Sequence, residues 1–226
     1  MPGRRLIFGI DAYYHIFNRG VARQPIFSVK KDYEQAMLCL EYYLFSKPPM
    51  KLSRFKDLSV KKRHKFLEDM RKSSQRLVDI IAFTLMPNHV HFLLRQRVEH
   101  GISKYMSQLQ NSYTRYFNTK YERIGPIFQG VFKGVHVETM EQLLHVSRYI
   151  HLNPVVSFLV DEKELESYAW SSLTEYLKGG SPFLSCQPIL DQFKNPGTYR
   201  QFIVDQIDYA KRLHEIKHVL IDDDMD

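Results

Sequence analysis

The chain has 226 residues, 44% of them hydrophobic and 25% charged, which is enough apolar material for a sizeable core and excludes wholesale disorder. No apolar run reaches the roughly eighteen residues that a membrane-spanning helix requires, and the opening MPGRRLIFGI has too short an apolar part for a secretory signal. Lys and Arg number 32 against 25 Asp and Glu, a net charge of +7. Residues 51–76 alone hold ten basic and three acidic side chains, again +7, so the remainder is neutral on balance even with the acidic tail Asp222, Asp223, Asp224 and Asp226. Such a block either gathers phosphates or is a solvated helical hairpin. Cys39 and Cys186 are far apart in sequence, which leaves neither a disulfide framework nor a cysteine zinc cage, and a reducing, cytoplasmic setting is expected.

Residues 12–19, AYYHIFNR, alternate as a first strand does, and a loop with Gly20 and Pro25 follows. The spacing of Tyr33, Ala36, Met37, Leu40 and Leu44 predicts an amphipathic helix from Asp32, as its N-cap, to Phe45, ended by Pro48 and Pro49. The basic block then reads as an insertion over 47–76, because the core pattern resumes at Leu77 with LVDIIAFTLM, a strand buried on both faces. Pro87 and Asn88 form a tight turn into the partner strand HVHFLLRQ. A second helix is expected over about 103–121, with Met106, Leu109, Tyr113, Tyr116 and Phe117 at helical spacing, most of them core. IFQGVFKGVHV, residues 127–137, reads as a fourth strand with glycine irregularities. Thr139 and Gln142 match a capping box and start a third helix that Pro154 should stop near Asn153. Beyond it lie a Gly179-Gly180 break, loop signals over 181–197 and a helix-like stretch over about 198–220.

The order strand, helix, strand, strand, helix, strand predicts an α+β fold: a ferredoxin-like antiparallel sheet with helices on one face, a basic helical insertion after the first helix and a helical C-terminal extension. The expected organisation is a domain over 1–176 and an extension over 177–226.

Two short segments carry the chemistry. In MPNHVHFLLR, residues 86–95, His89 and His91 are two apart on a strand and share a face, a bidentate platform for a divalent ion. Taken alone, such a pair also arises by chance on a half-exposed strand. In RYIHLNPV, residues 148–155, Tyr149 and Asn153 are four apart on the third helix, with His145 a turn earlier, while Met140, Leu143, Leu144 and Ile150 form the apolar stripe. Tyr149 thus sits at the edge of the buried surface with its hydroxyl outward, although an arbitrary tyrosine there would usually only pack its ring.

The sequence resembles the REP-associated tyrosine transposases, a branch of the single-tyrosine HUH transposases that process single-stranded DNA. YYHIFNRG at 13–20, MPNHVHFLLR at 86–95 and RYIHLNPV at 148–155 carry the resemblance, supported by SYTRYFN at 112–118, GPIFQGVFK at 125–133 and YAWSS at 168–172. The resemblance implies that His89-Val90-His91 is the HUH motif, Tyr149 the nucleophile and Asn153 the third ligand of a magnesium or manganese ion. It further implies cleavage and rejoining through a 5′-phosphotyrosine, so that no ATP is needed. A free phenol titrates near about pH 10, and His145 and His151 both lie close enough in sequence to assist as a base. Arg19, Arg95, Arg115 and Lys133 lie in matched segments and are expected to track phosphate. Tyr113, Tyr116 or Phe117 would stack bases if they are not core. Lys61, Lys62, Arg63 and Lys65 of the insertion would grip a hairpin or neighbouring duplex. The implied substrate is a palindromic element folded as a hairpin beside a single-stranded guide, bound by a monomer or a homodimer. The competing readings are a nicking nuclease of the replication-initiator or relaxase kind, and a catalytically silent DNA- or RNA-binding protein.

Overall fold

The computed structural model describes residues 7–212. Four strands, β1 (Tyr13–Arg19), β2 (Val78–Met86), β3 (His89–Gln96) and β4 (Lys133–Val137), form one sheet in the order β2-β3-β1-β4. Backbone bonds from Gly20 N to Asn88 O (2.7 Å) and from Gln96 N to Ala12 O (3.1 Å) set β1 and β3 antiparallel. This is the ferredoxin-like strand order in an α+β chain, as the element pattern predicts. The described residues pack as two compact units, one of residues 7–79, 87–89 and 94–136, the other of 80–86, 90–93 and 137–212.

In the first unit α1 (Lys30–Tyr42) packs on α4 (Gly101–Lys120). α1 begins two residues ahead of the expected N-cap. Asp32 is the third helical residue, and its carboxylate reaches back to accept Ser28 N (2.9 Å) and Val29 N (3.1 Å), which releases Val29 into extended backbone as the capping position. α4 starts at a glycine because a Cβ on Gly101 would lie 2.1 Å from the Leu77 carbonyl oxygen. Tyr113 and Phe117 are buried (1% and 4% exposed), and the Tyr113 hydroxyl donates to the Ile26 carbonyl, so neither is available to stack a base.

The insertion is helical, as its composition suggests: α2 (Leu52–Lys56) and α3 (Val60–Ser73) bury Phe55, Leu67 and Met70. Its two ends are clamped together by a Phe45–Arg76 bridge and by bonds from Ser46 N to Gln75 O (3.0 Å) and Leu77 N to Leu44 O (2.7 Å). The fourth strand is shorter than expected. Residues 127–129 pair only locally with β1's end, through Val21 N to Ile127 O (2.9 Å) and Gln129 N to Arg19 O (2.8 Å). Gly130, at φ +64°, interrupts the ladder before β4 begins.

The second unit is built around α5 (Met140–Val156), capped at its start by Thr139 Oγ1, which accepts Gln142 N at 3.1 Å. α5 runs through Pro154 rather than ending before it. A proline this close to the helix end removes only one internal bond, and its carbonyl caps the following turn by accepting Leu159 N (2.9 Å). Residues 168–185 cover β2, an edge strand by sheet order, through Leu85 N to Trp170 O (2.8 Å), Tyr176 Oη to Ile81 O (2.7 Å) and Ser185 N to Ile80 O (2.8 Å). α6 (Leu173–Leu177), α7 (Gln187–Leu190) and α8 (Pro196–Val204) complete the unit. The helix expected over 198–220 is broken by a turn at 205–206 and resumes over 207–212, and its remainder lies outside the described residues, as does the acidic tail.

Candidate active site

α5 lays Ile150 and His151 inward, both fully buried, and leaves Tyr149 47% exposed. The tyrosine is held rather than loose: its ring meets that of His91 edge to face, with centroids 5.5 Å apart and planes at 88°. His91 is 7% exposed and Asn153 6%. One turn on from the tyrosine, Asn153 Nδ2 lies 3.5 Å from the Tyr149 carbonyl, which turns its Oδ1 away from that contact. The second unit therefore gathers His91, Tyr149 and Asn153.

His89 belongs to the first unit, two residues before His91 on β3 and on the same strand face. Its Nδ1 is 2.7 Å from Asn88 Oδ1. An amide oxygen only accepts, so Nδ1 carries the proton and Nε2 the lone pair, the tautomer a ligating imidazole uses. The donor set of two imidazoles and an amide oxygen fits a divalent ion. Among the described residues no three His, Cys, Asp or Glu side chains gather as a metal cage; Asn153 offers an amide oxygen, a donor suited to a hard divalent ion.

The two histidines near the tyrosine differ sharply. His151 is sealed: Nδ1 bonds Tyr199 Oη and Nε2 bonds Ser172 Oγ, each at 2.7 Å, and burial pushes its pKa down to about 3. It is thus ruled out as the base for Tyr149. Tyr199 Oη donates on to Ser147 Oγ (3.3 Å), and Ser172 Oγ accepts Phe83 N (2.9 Å), so a hydrogen-bonded chain runs from α8 through α5 to β2. His145 is exposed, but its Nδ1 accepts Arg148 Nη2 at 2.6 Å, since a guanidinium only donates, and its Nε2 lies 3.8 Å from Glu141.

The candidate DNA-contacting cations all lie in the first unit. Lys61, Lys62 and Lys65 are exposed along α3, and Arg63 is half-buried. Lys133 is exposed on β4, and Arg115 on α4. Arg19 is turned to Gln129, and Arg95 is paired with Asp11 at 2.9 Å and lies over the Tyr13 ring at 5.7 Å. Sequence reasoning missed the Tyr199, Ser147 and Ser172 support of α5: Tyr199 and Ser147 carry no motif, Ser172 counted only as the end of YAWSS, and their partners lie up to 89 positions away.

Fold and site together define an α+β domain presenting a tyrosine on a helix beside a strand histidine, His91. Residues 51–153 match the family model described as "Transposase IS200 like", which bears out, over that segment, the resemblance read from the motifs. A solved structure described as a REP-associated tyrosine transposase bound to a REP hairpin is 15% identical, covers 81% of this chain and 90% of its own, and superposes with a TM-score of 0.54. A candidate transposase from Deinococcus radiodurans R1 is 13% identical over 66% of this chain and 95% of its own, with a TM-score of 0.36. No curated protein matches the chain. Among the described residues no helix is long and apolar enough to cross a membrane.

Proposed function

We propose that this chain is a transposase that cleaves and rejoins single-stranded DNA at hairpin-forming repetitive elements, with Tyr149 as nucleophile. The observation that carries the reading is Tyr149 itself: a half-exposed phenol, packed edge-on against His91 on an otherwise buried helix segment. The family match over 51–153, which ends at Asn153, and the fold likeness to a hairpin-bound tyrosine transposase support it.

In this reading His89, His91 and Asn153 hold magnesium or manganese, which when bound supplies positive charge to the oxygens of the scissile phosphate. Tyr149 Oη bonds to phosphorus as the bond to the 3′-oxygen breaks; the phenolic proton leaves and the 3′-oxygen gains one. A 5′-phosphotyrosine diester replaces the phosphodiester, so attack by another 3′-hydroxyl regenerates the DNA linkage. Neither His145 nor His151 serves as the base, given their hydrogen bonds, and the phenolic proton passes to solvent at the exposed ring. Lys61, Lys62, Arg63 and Lys65, with Arg19, Arg95, Arg115 and Lys133, contact phosphate without reading sequence. Free, buried Cys39 and Cys186 are in keeping with action in the reducing cytoplasm.

The test is incubation of the protein with manganese and labelled hairpin DNA carrying a single-stranded flank, followed by denaturing electrophoresis. A covalent adduct and a rejoined strand are expected. Tyr149→Phe should cut the adduct by at least about a thousandfold with DNA binding retained, and an adduct that persists in this variant overturns the assignment. An adduct that forms but never rejoins marks a nicking nuclease instead. His89→Ala should weaken manganese binding and cleavage together by roughly a hundredfold; calorimetry with manganese checks the first.

A further inference from the structure

A hollow of about 660 Å3 lies between α1, the start of the insertion and α4, wholly within the first unit, and Tyr149 does not line it. That is the size of a small-molecule site and more than a lone phosphate requires. Lys51, Lys56, Arg115 and Lys120 line it, and no Asp or Glu does. Behind the wall, buried Asp32 answers Lys120 at 2.6 Å. Lys56 has a neutral partner, the Gln35 side-chain oxygen at 2.8 Å. Lys51 and Arg115 are exposed, and among the described residues no carboxylate pairs with either.

Like charges gathered on one concave wall repel, and an apolar backing focuses their field outward, so the arrangement is balanced by an anion. The ligand is more than an anion, however. Tyr43 and Tyr116 also line the hollow, and Lys56 and Lys120 each sit 5.7 Å from the Tyr116 ring centroid. Ser112, Arg115, Tyr116 and Thr119 recur at intervals of three and four along α4, which makes this side of the helix a continuous polar and aromatic stripe. Flat rings beside cations and hydroxyls match a planar base joined to a phosphate.

We propose that this hollow binds a nucleotide unit, with its phosphate on Lys51 and Arg115 and its base against Tyr43 and Tyr116. The unit comes from a free nucleotide or from a single strand held by the same protein; the second source rests on the DNA-processing reading above. The full chain is titrated calorimetrically with deoxyadenosine monophosphate, deoxyadenosine, inorganic phosphate and a twelve-nucleotide single strand. The monophosphate should bind at least about tenfold more tightly than either of its halves, the difference a charge-assisted phosphate contact makes. Displacement of the monophosphate by the single strand identifies the strand as the source, and simultaneous binding of both identifies the free nucleotide. The double variant Lys51→Glu with Thr119→Glu changes two exposed positions and, with an unchanged circular dichroism melt, should lose the monophosphate by about tenfold or more. Equal affinity for phosphate and nucleotide, or unchanged affinity in the folded variant, overturns the proposal. Tyr149→Phe is run in parallel: loss of the covalent adduct with nucleotide binding intact keeps the two questions separate, because either can fail alone.

Discussion

Each unit of this protein buries a polar knot, at Asp32 in the first and at His151 in the second, and these two are built on opposite electrostatic principles. In the first, Asp32 is fully buried and charged, taking hydrogen bonds from Lys120 (2.6 Å), Tyr121 (2.8 Å), Tyr116 (3.1 Å) and two backbone amides. Burial alone raises its pKa, but Lys120, Ser28, Tyr121 and Val29 outweigh that and hold the carboxyl below its ordinary range. In the second, His151 is as deeply buried but faces only hydroxyls, so burial wins and the ring stays neutral. A charge is kept where a cation and several donors converge on it; without them the same burial removes it. The charged knot ties α1 to α4, and the neutral one holds the helix that carries Tyr149 while withdrawing His151 as a proton acceptor.

The contrast can be broken most forcefully at Asp32. Asp32→Ala strands Lys120 and two tyrosine hydroxyls and should cost about 3 kcal/mol, the low end for a severed buried pair because Lys120 keeps 27% of its side chain exposed. Urea unfolding measures this, and a loss under about 1 kcal/mol would make the pair an ornament. Acidification sharpens the comparison next. An unfolded histidine protonates below its ordinary 6.5 while His151 stays neutral to about 3, so its stabilisation is complete above pH 6.5 and erodes as pH falls toward 3. By pH 5 the loss should reach roughly 2 kcal/mol. His15, lowered to about 4 by burial, adds to the same slope, so the decisive comparison is with His151→Gln, whose acid sensitivity between pH 6.5 and 5 should be smaller. Asp32 works in a lower window: its contribution is present above the carboxylate's ordinary 3.8 and is lost as pH drops below that.

Tyr199→Phe is a gentler intervention. It deletes one hydroxyl from the neutral knot and should cost about 1 kcal/mol. If α8 positions α5, it should also slow adduct formation with hairpin affinity unchanged; equal slowing of both would assign Tyr199 to general stability. The smallest effect on folding is expected from neutralising Lys61, Lys62, Arg63 and Lys65 together. Stability should stay within about 0.5 kcal/mol, while DNA binding weakens at low salt and its dependence on salt flattens. An unchanged salt slope would remove the insertion from the binding surface.

Residues whose roles depend on neighbours in the chain were legible. The β2–β3 hairpin, the shared face of His89 and His91, the Thr139 cap and the outward placement of Tyr149 all follow from periods of two and 3.6 and from one side chain's reach. Roles that depend on distant partners were not. Asp32 has every mark of an N-cap until Lys120, at the end of α4, and Tyr121, just past it, arrive from 88 and 89 residues away. Pro154 reads as a stop, yet the turn that follows takes up its carbonyl. By contrast, helical spacing alone already marks Tyr113 and Phe117 as core, and both are buried.

His145 and His151 show the division most plainly. In the chain they are equivalent bystanders of Tyr149, four residues before and two after it. Local order determined that a phenol, an amide and two imidazoles would lie on particular faces of a helix and a strand, because backbone geometry projects side chains at fixed intervals. Which histidine would be buried beneath Tyr199 and Ser172, and so lose its proton, was decided only by tertiary packing, since a pKa answers to the dielectric and the donors that distant segments bring.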